Sequence, residues 1–410
     1  MKILLINNHH SLKGGAHRVY FNTGKLLEDN GHDVAYFSTL DDESEPTKYQ
    51  KYFVPRVDFK NESIVNKIRV SKLYLYNKRV YKAIAKLIND FKPDIAHIHL
   101  FYGGLSVSAL RALKDNSIPI VHTVHDYRLI CPVNTFLSKE GEICEKCKNK
   151  RYLNCLINKC SKGSLINSFI LTMEAYLWKY IYKPRKLIDH FIFVSKFIRN
   201  KHIEFNEIYS SKSSQLYNFH NFDLTNGNIR GDYLFFYGRL SEEKGLRNLL
   251  EVISTLKVKI VIAGTGPLQS LVEEYSKKYS NIIYVGFKNG KELFTLIQNS
   301  FFVIVPSEWF ENNPMTIVEA FSYGKPVIGA NIGGIPELVI ENETGFGFES
   351  GNKEELMRKI SYVDSLSDEE YIRLSKNAKA FSEREFLPEK SYTELMKIYN
   401  LLLKDEKHCK

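Results

Sequence analysis

No run of about eighteen apolar residues occurs in this chain of 410 residues, which excludes a membrane-spanning helix of ordinary length. The most apolar helical stretch, Ser168–Tyr182, is broken by Glu174 and Lys179. A leader is not apparent either. The opening MKILLINNHH turns polar too soon for a signal peptide and has the pattern of a buried first strand. A cytoplasmic protein is expected. There is no repeat of fixed period and no low-complexity segment, which sets aside solenoids and disordered chains. Two phosphate-binding fingerprints, Gly-x-Gly-x-x-Gly after a first strand and the phosphate-loop lysine motif, are absent. Cysteine is scarce: there are six, and five of them crowd into one stretch. What remains is ordinary. A content of 44% hydrophobic and 25% charged residues describes a globular protein, and the length suits two or three domains.

Acidic residues are missing locally. Between Ser63 and Ile88 stand Lys67, Arg69, Lys72, Lys78, Arg79, Lys82 and Lys86 without one acid. A second basic group spans Lys146–Lys162, and a third comprises Lys179, Lys183, Arg185 and Lys186, within a net charge of +10. Such patches suit an anionic partner: a lipid surface, a pyrophosphate-linked acceptor or nucleic acid. They also suit the solvated face of a lysine-rich protein. The first group carries an apolar stripe with Tyr76 and Tyr81. Part of it belongs to a core, and tyrosines beside lysines fit a membrane interface.

In order, Met1–Asn7 reads as a strand, HHSLKGG as a loop, Ala16–Asn30 as a helix and His32–Ser38 as a second strand. In this βαβ opening Gly14-Gly15 lets bare backbone approach a ligand. Residues 39–62 read as a mobile loop, and 64–91 as a long basic helical region. Strands Asp94–His99 and Ile118–Thr123 follow, and the latter delivers His125 at its C-terminal end, where ligands of open α/β sheets bind. His125 is a candidate polar contact or proton carrier; the plainer reading is a structural histidine. The insert 127–162 holds Cys131, Cys144, Cys147, Cys155 and Cys160. The Cys144-x-x-Cys147 spacing suits a metal, so Cys131, Cys144, Cys147 and Cys160, with Cys155 as the competing ligand, form a candidate structural zinc site. Reduced, unliganded thiols are the alternative.

The polar segment 217–231 marks a domain boundary, after which the α/β rhythm restarts. Three strands end in Gly238-Arg239, Gly264-Thr265-Gly266-Pro267 and Gly286-Phe287. Arg239 and Lys244 follow one strand end, where cations meet a diphosphate. The stretch Pro306–Leu338 is the centre of this half. It gives a loop with Glu308, Trp309 and Glu311, an N-cap at Asn313, Pro314 at the first helical position, and a helix to Tyr323 closed by Gly324. Glu311 and Glu319, eight residues apart, flank the helix N-terminus, whose amides and dipole suit a diphosphate. Carboxylates suit sugar hydroxyls.

Taken together, Gly-Arg-x-Ser-x-x-Lys-Gly, Ala-Gly-x-Gly-Pro, Glu-(seven residues)-Glu and Gly-Gly-Ile-Pro-Glu-Leu resemble, in order and spacing, the retaining glycosyltransferases of family four. The match runs from Asp232 to Phe348. A looser N-terminal match includes the Gly-Gly loop and Val-His-Asp, and the Cys-rich insert after His-Asp-Tyr-Arg-Leu-x-Cys-Pro resembles that of a subset of this family. The resemblance implies a GT-B fold: two Rossmann-like doubly wound α/β domains facing a central cleft, at 1–220 and 221–385, with a terminal helix 386–410 crossing back. It implies metal-independent transfer of a hexose-type sugar from a UDP- or GDP-sugar to a glycan or lipid-linked saccharide, in cell-surface polysaccharide assembly at the inner face of the membrane. Arg239 and Lys244 would neutralise the diphosphate. Glu311 would contact the sugar and Glu319 the ribose. Backbone near Asn312, Asn313, Met315, Thr316 and Gly15 would cradle phosphate, His125 would reach the sugar, and Gly238, Gly264, Gly266 and Phe287 would complete the donor site. In place of the small residues that many relatives have after the first glutamate, this chain has Asn312-Asn313-Pro314, and Pro314 removes one amide donor. Two other readings stay open: a nucleotide-sugar epimerase of the same fold, and a non-catalytic protein that binds anionic membrane or nucleic acid.

Overall fold

The central strands of this chain are runs of buried apolar residues rather than alternating ones, the pattern of parallel strands buried on both faces. A computed structural model shows two such sheets; it describes residues 1–12, 14–57, 64–220 and 230–408. The chain divides into two compact units. One holds Met1–Glu140, Cys144–Leu216 and Pro388–Lys410, and the other holds Gly141–Ile143 and Tyr217–Leu387. The boundary segment 221–229 and the basic side chains of Lys67 and Arg69 lie outside the described residues.

In the first unit the strands are β1 (Lys2–His9), β2 (Asp33–Leu40), β3 (Val54–Pro55), β4 (Ile95–Ile98), β5 (Ile120–Val124), β6 (His190–Phe193) and β7 (Ser213–Gln215). They form one sheet in the order β3-β2-β1-β4-β5-β6-β7, with parallel pairing throughout. The stretch read as a mobile loop is partly structured. A 3₁₀ turn at Gln50–Tyr52 delivers β3 to the sheet edge, and Tyr52, Phe53 and Val54 are buried there. The long basic region is two helices, Ile64–Leu75 and Lys78–Phe91. Asn77 separates them by capping the second, its Oδ1 accepting from the Arg79 amide at 3.1 Å. The terminal helix Pro388–His408 is anchored to this unit by two tyrosines. Tyr399 Oη lies 2.6 Å from His97 Nδ1, and Tyr392 Oη lies 2.9 Å from His32 Nε2.

One buried ion pair locks the start of the insert. Arg128 pairs with Glu174 and also donates to Tyr74 Oη at 2.9 Å and to the Pro132 carbonyl. Burial raises the Glu174 carboxyl, and Arg128 opposes that shift. Glu174→Ala leaves the buried guanidinium without its counter-ion. The expected cost is about 3–5 kcal/mol, read as a lower Tm for the first unit in a calorimetric scan. An unchanged Tm would show that the pair is not needed.

The second unit carries β8 (Leu234–Tyr237), β9 (Ile260–Ala263), β10 (Ile282–Tyr284), β11 (Phe302–Val305), β12 (Val327–Ala330) and β13 (Gly345–Phe348) in the order β10-β9-β8-β11-β12-β13, also parallel. Strand order reverses between β8 and β11. Ligands of open α/β sheets bind at such a switch, outside the C-terminal strand ends. The loops after β8 and β11 are those that carry Arg239, Lys244 and Glu311.

Candidate functional site

After β8 the chain makes a 3₁₀ turn, Glu242–Lys244, closed by Gly245 in the left-handed conformation. After β11 it makes a loop whose Glu308 amide donates to the Glu243 carbonyl at 2.9 Å. The two loops are therefore tied through backbone, and Lys244 reaches Glu311. Its Nζ donates to Glu311 Oε1 at 2.5 Å. Ser307 Oγ and Trp309 Nε1 donate to the same oxygen, each at 2.8 Å. Lys244 also lies 5.0 Å from the centre of the Trp309 ring, a cation–π contact. Glu311 is buried. Burial pushes its carboxyl up, but Lys244, Trp309 and Ser307 outweigh that and hold it below the usual carboxylate range. All three donors land on Oε1, and among the described residues none reaches Oε2.

The helix that follows is Met315–Ser322. Its cap differs from the sequence reading. Pro314, with φ −65° and ψ 122°, holds the N-cap position, and Asn313 does not. The Asn313 side chain is engaged elsewhere: its Oδ1 accepts from the Asn218 amide at 2.7 Å, while Asn218 Nδ2 donates to the Asn313 carbonyl at 2.9 Å. A proline cap brings neither a side-chain acceptor nor an amide of its own. The Met315 and Thr316 amides therefore have no partner inside the helix, as a helix N-terminus that accepts an anion requires. Glu319 is buried on this helix, and Tyr237, at the end of β8, donates to its Oε2 at 3.0 Å. Gly324 closes the helix at φ +63°.

The glycine loops lie at the same strand ends. The Gly264 amide donates to the Gly286 carbonyl at 2.9 Å, and Gly238 donates to the Ala263 carbonyl at 3.0 Å. A Cβ on Gly264 would meet the Gly238 carbonyl oxygen at 1.9 Å, so only glycine lets the loops after β8 and β9 touch. Leu240 accepts from the Leu268 amide at 2.9 Å, which holds the Gly266 turn against the Arg239 loop. Arg239 is exposed and has no ion pair among the described residues. Phe287 is 64% exposed, unusual for an apolar ring beside a strand end. Asn312 lies two residues before the Pro314 cap, and Met315 and Thr316 are the first two residues of the helix.

In the first unit, His125 stacks on His99, and His99 Nδ1 lies 2.9 Å from His125 Nε2. His97 stacks on His99 in turn. Burial lowers His125 to about 3, with help from the neighbouring His122 and His97. Its imidazole is thus neutral near pH 7. Gly15 opens the helix Gly15–Asp29. The five insert thiols sit within electrostatic reach of one another. Cys155 donates to Cys160, which brings Cys160 down to about 7, while burial raises Cys147 to about 12. Among the described residues no group of three or more His, Cys, Asp or Glu is arranged to hold a metal ion.

Sequence reasoning singled out both carboxylates and both cations. It did not find Ser307 and Tyr237 as partners of the carboxylates, or Asn218 as the partner of Asn313. Ser307 and Tyr237 sit at strand ends, which was the available signal; Asn218 lies in a polar linker and gave none.

Residues 13–224 match the family model described as Glycosyltransferase Family 4, and residues 226–381 match that described as Glycosyl transferases group 1. An uncharacterized 42.6 kDa protein in the cps region of Klebsiella pneumoniae is 25% identical over 360 residues, covering 82% of this chain and 87% of that protein. An uncharacterized glycosyltransferase of Methanocaldococcus jannaschii is 31% identical over 219 residues, covering 52% of this chain and 60% of that protein. Among solved structures, a sucrose-phosphate synthase of Thermosynechococcus elongatus superimposes with a TM-score of 0.69 at 15% identity, over 99% of this chain and 100% of that one. HepE of Anabaena in complex with UDP-glucose superimposes with a TM-score of 0.63 at 18% identity, over 98% and 99%.

Proposed function

We propose, from the premise that the chain belongs to the glycosyltransferases of these two families and has their GT-B fold, that it moves a hexose from a UDP- or GDP-sugar onto a saccharide. Glu311 carries this reading. Its Oε1 is saturated by Lys244, Ser307 and Trp309, so a held carboxylate presents Oε2 to a sugar hydroxyl. The donor diphosphate takes the Met315 and Thr316 amides, with Arg239 and Lys244 balancing the charge that grows on the leaving nucleotide. Glu319 accepts from a ribose hydroxyl. Phe287, Gly238, Gly264 and Gly266 provide an apolar ring and close backbone for the base. His125, being neutral, contributes a hydrogen bond, and Gly15 an amide.

Transfer is proposed to retain the anomeric configuration, with the acceptor attacking on the face that the diphosphate leaves. The acceptor is proposed to be a glycan or lipid-linked saccharide of cell-surface polysaccharide, in line with the cps-region relative. Arg239 and Lys244 take the place of a catalytic cation, so EDTA is expected to leave the rate unchanged; a rate restored only by Mg²⁺ or Mn²⁺ would overturn this. A structural zinc on the insert thiols is a separate proposal. It requires Cys155 and Cys160 to exchange their mutual hydrogen bond for a shared ion, and elemental analysis of the purified chain decides it.

Thermal stability against UDP, GDP, ADP and CDP tests the donor site. At a hundredfold over its Kd a ligand adds about 2.7 kcal/mol, a rise of several degrees in Tm. A rise with UDP or GDP alone is expected. No rise with any of the four would count against the site. Incubating the donor sugar without acceptor separates transfer from epimerisation, since an epimerase converts it unaided.

A further inference from the structure

Half of the exposed large apolar side chains among the described residues fall within one short stretch of the first unit. The helix Leu165–Leu177 runs directly into a π-helical turn, Trp178–Tyr182. Its inner face is buried through Ser168, Ile170, Thr172, Glu174 and Trp178. Its outer face presents Leu165, Ile166, Phe169, Tyr180 and Ile181, each more than half exposed. At 3.6 residues per turn Leu165, Ile166 and Phe169 share one side of the α-helix, and the π turn that continues it adds Tyr180 and Ile181. The short helix Leu153–Ile157 packs beside it, the Leu153 amide donating to Tyr176 Oη at 3.3 Å. That helix adds Leu153 and Ile157, at 51% and 66% exposure, from successive turns.

The fringe of this face is cationic. Between Lys146 and Lys186 the only acid is Glu174, which is buried and paired with Arg128. Lys159, Lys162, Lys183 and Lys186 are exposed. Lys179 lies 4.5 Å from the centre of the Tyr180 ring, so its stem follows the apolar surface while its ammonium remains outside. An interfacial helix has this composition: large apolar and aromatic residues on one side, lysines at the margin, and no exposed acid within the helix itself.

We infer that this face seats the protein on the surface of an anionic bilayer, with Ile166, Phe169 and Tyr180 entering the headgroup region and the surrounding lysines meeting lipid phosphates. Charge selects the occupant. A second copy of this chain would bring the same lysines face to face and repel. No helix of the described chain is long and apolar enough to span a bilayer, so attachment is peripheral. It requires neither donor nor acceptor and therefore stands apart from the transfer reaction.

Co-sedimentation with phosphatidylcholine vesicles, with and without phosphatidylglycerol, tests the inference. Binding is expected only with the anionic lipid, and is expected to weaken as NaCl screens the lysines. The double variant Ile166→Ser/Phe169→Ser changes exposed side chains alone. It is expected to bind the anionic vesicles about tenfold more weakly or worse, while its nucleotide-induced Tm rise is unchanged. Equal binding by wild type and variant would overturn the inference, as would binding that ignores lipid charge. So would a wild-type dimer in analytical ultracentrifugation that the double variant abolishes without any vesicle binding, since the face would then belong to a second copy.

Discussion

Lys244→Met is expected to lower transfer by about 10²–10³-fold, the usual loss when one preorganised charge is removed from a developing anion. Two effects combine. The leaving diphosphate loses a cation, and Glu311 loses the contact that keeps it ionised in a buried site. Without Lys244, only Trp309 and Ser307 oppose the effect of burial, so the Glu311 carboxyl moves up and is a weaker acceptor for the sugar hydroxyl. The variant is also expected to unfold more easily near neutral pH, because a buried carboxylate without its partner is costly, at about 3–5 kcal/mol. The sign with pH follows from linkage. Glu311 in the folded wild type lies below its unfolded value, so the stability it contributes is complete above the ordinary carboxylate range and is lost as pH falls through the folded value. The stability gap between wild type and Lys244→Met should therefore narrow on acidification. Turnover of the variant within a few-fold of wild type would remove Lys244 from the mechanism. A gap that stays constant from pH 7 to acid would remove the ion pair from the account of stability.

Both sheets were legible because buried parallel strands read as apolar runs, closed by glycine in the second unit, and the strand read at Ile118–Thr123 is β5, Ile120–Val124. The site was legible for a related reason. A phosphate site on such a sheet needs charged residues immediately after strand ends, and Arg239, Lys244 and Glu311 stand there. What the sequence hid was competition for side chains. Asn313 has the chemistry of an N-cap, yet its oxygen is taken by the Asn218 amide from a distant segment, and Pro314 is left to cap the helix. Nothing local reports that a partner 95 residues away will win. The histidines show the same limit. His125 at a strand end reads as a polar contact or a proton carrier, and its stacking on His99 and its burial, which lowers its pKa, come from segments that the local sequence does not report. Edge strands β3 and β7, of two and three residues, are too short to give a periodicity.

Gly333 supplies the sharpest test of how Glu311 is held. The residue has φ +62°, and a Cβ there would stand 2.2 Å from the carbonyl oxygen of Glu311 and 2.6 Å from its nitrogen. Gly334 donates to that same carbonyl at 2.7 Å. The Gly-Gly pair therefore clamps the Glu311 backbone from one side, while Lys244, Ser307 and Trp309 hold its side chain from the other. Gly333→Ala cannot be accommodated by rotating a side chain, since both colliding atoms are backbone. The Glu311 segment must move, and a displacement on the order of 1 Å at a positioning group costs roughly 10²-fold in rate. The nucleotide-induced Tm rise should persist, because the Met315 and Thr316 amides and Glu319 belong to the helix rather than to the clamped residue. Gly351→Ala is the matching control. Gly351 has φ +81° but no atom within 4 Å of its would-be Cβ, so it carries the same backbone strain without the collision. That strain alone is about 1–2 kcal/mol and should leave kcat near the wild-type value. If both variants lose rate equally, the loss reflects general destabilisation. If only Gly333→Ala loses it while still binding nucleotide, the second glutamate-loop contact of this site lies in its backbone, where a motif of side chains would not have shown it.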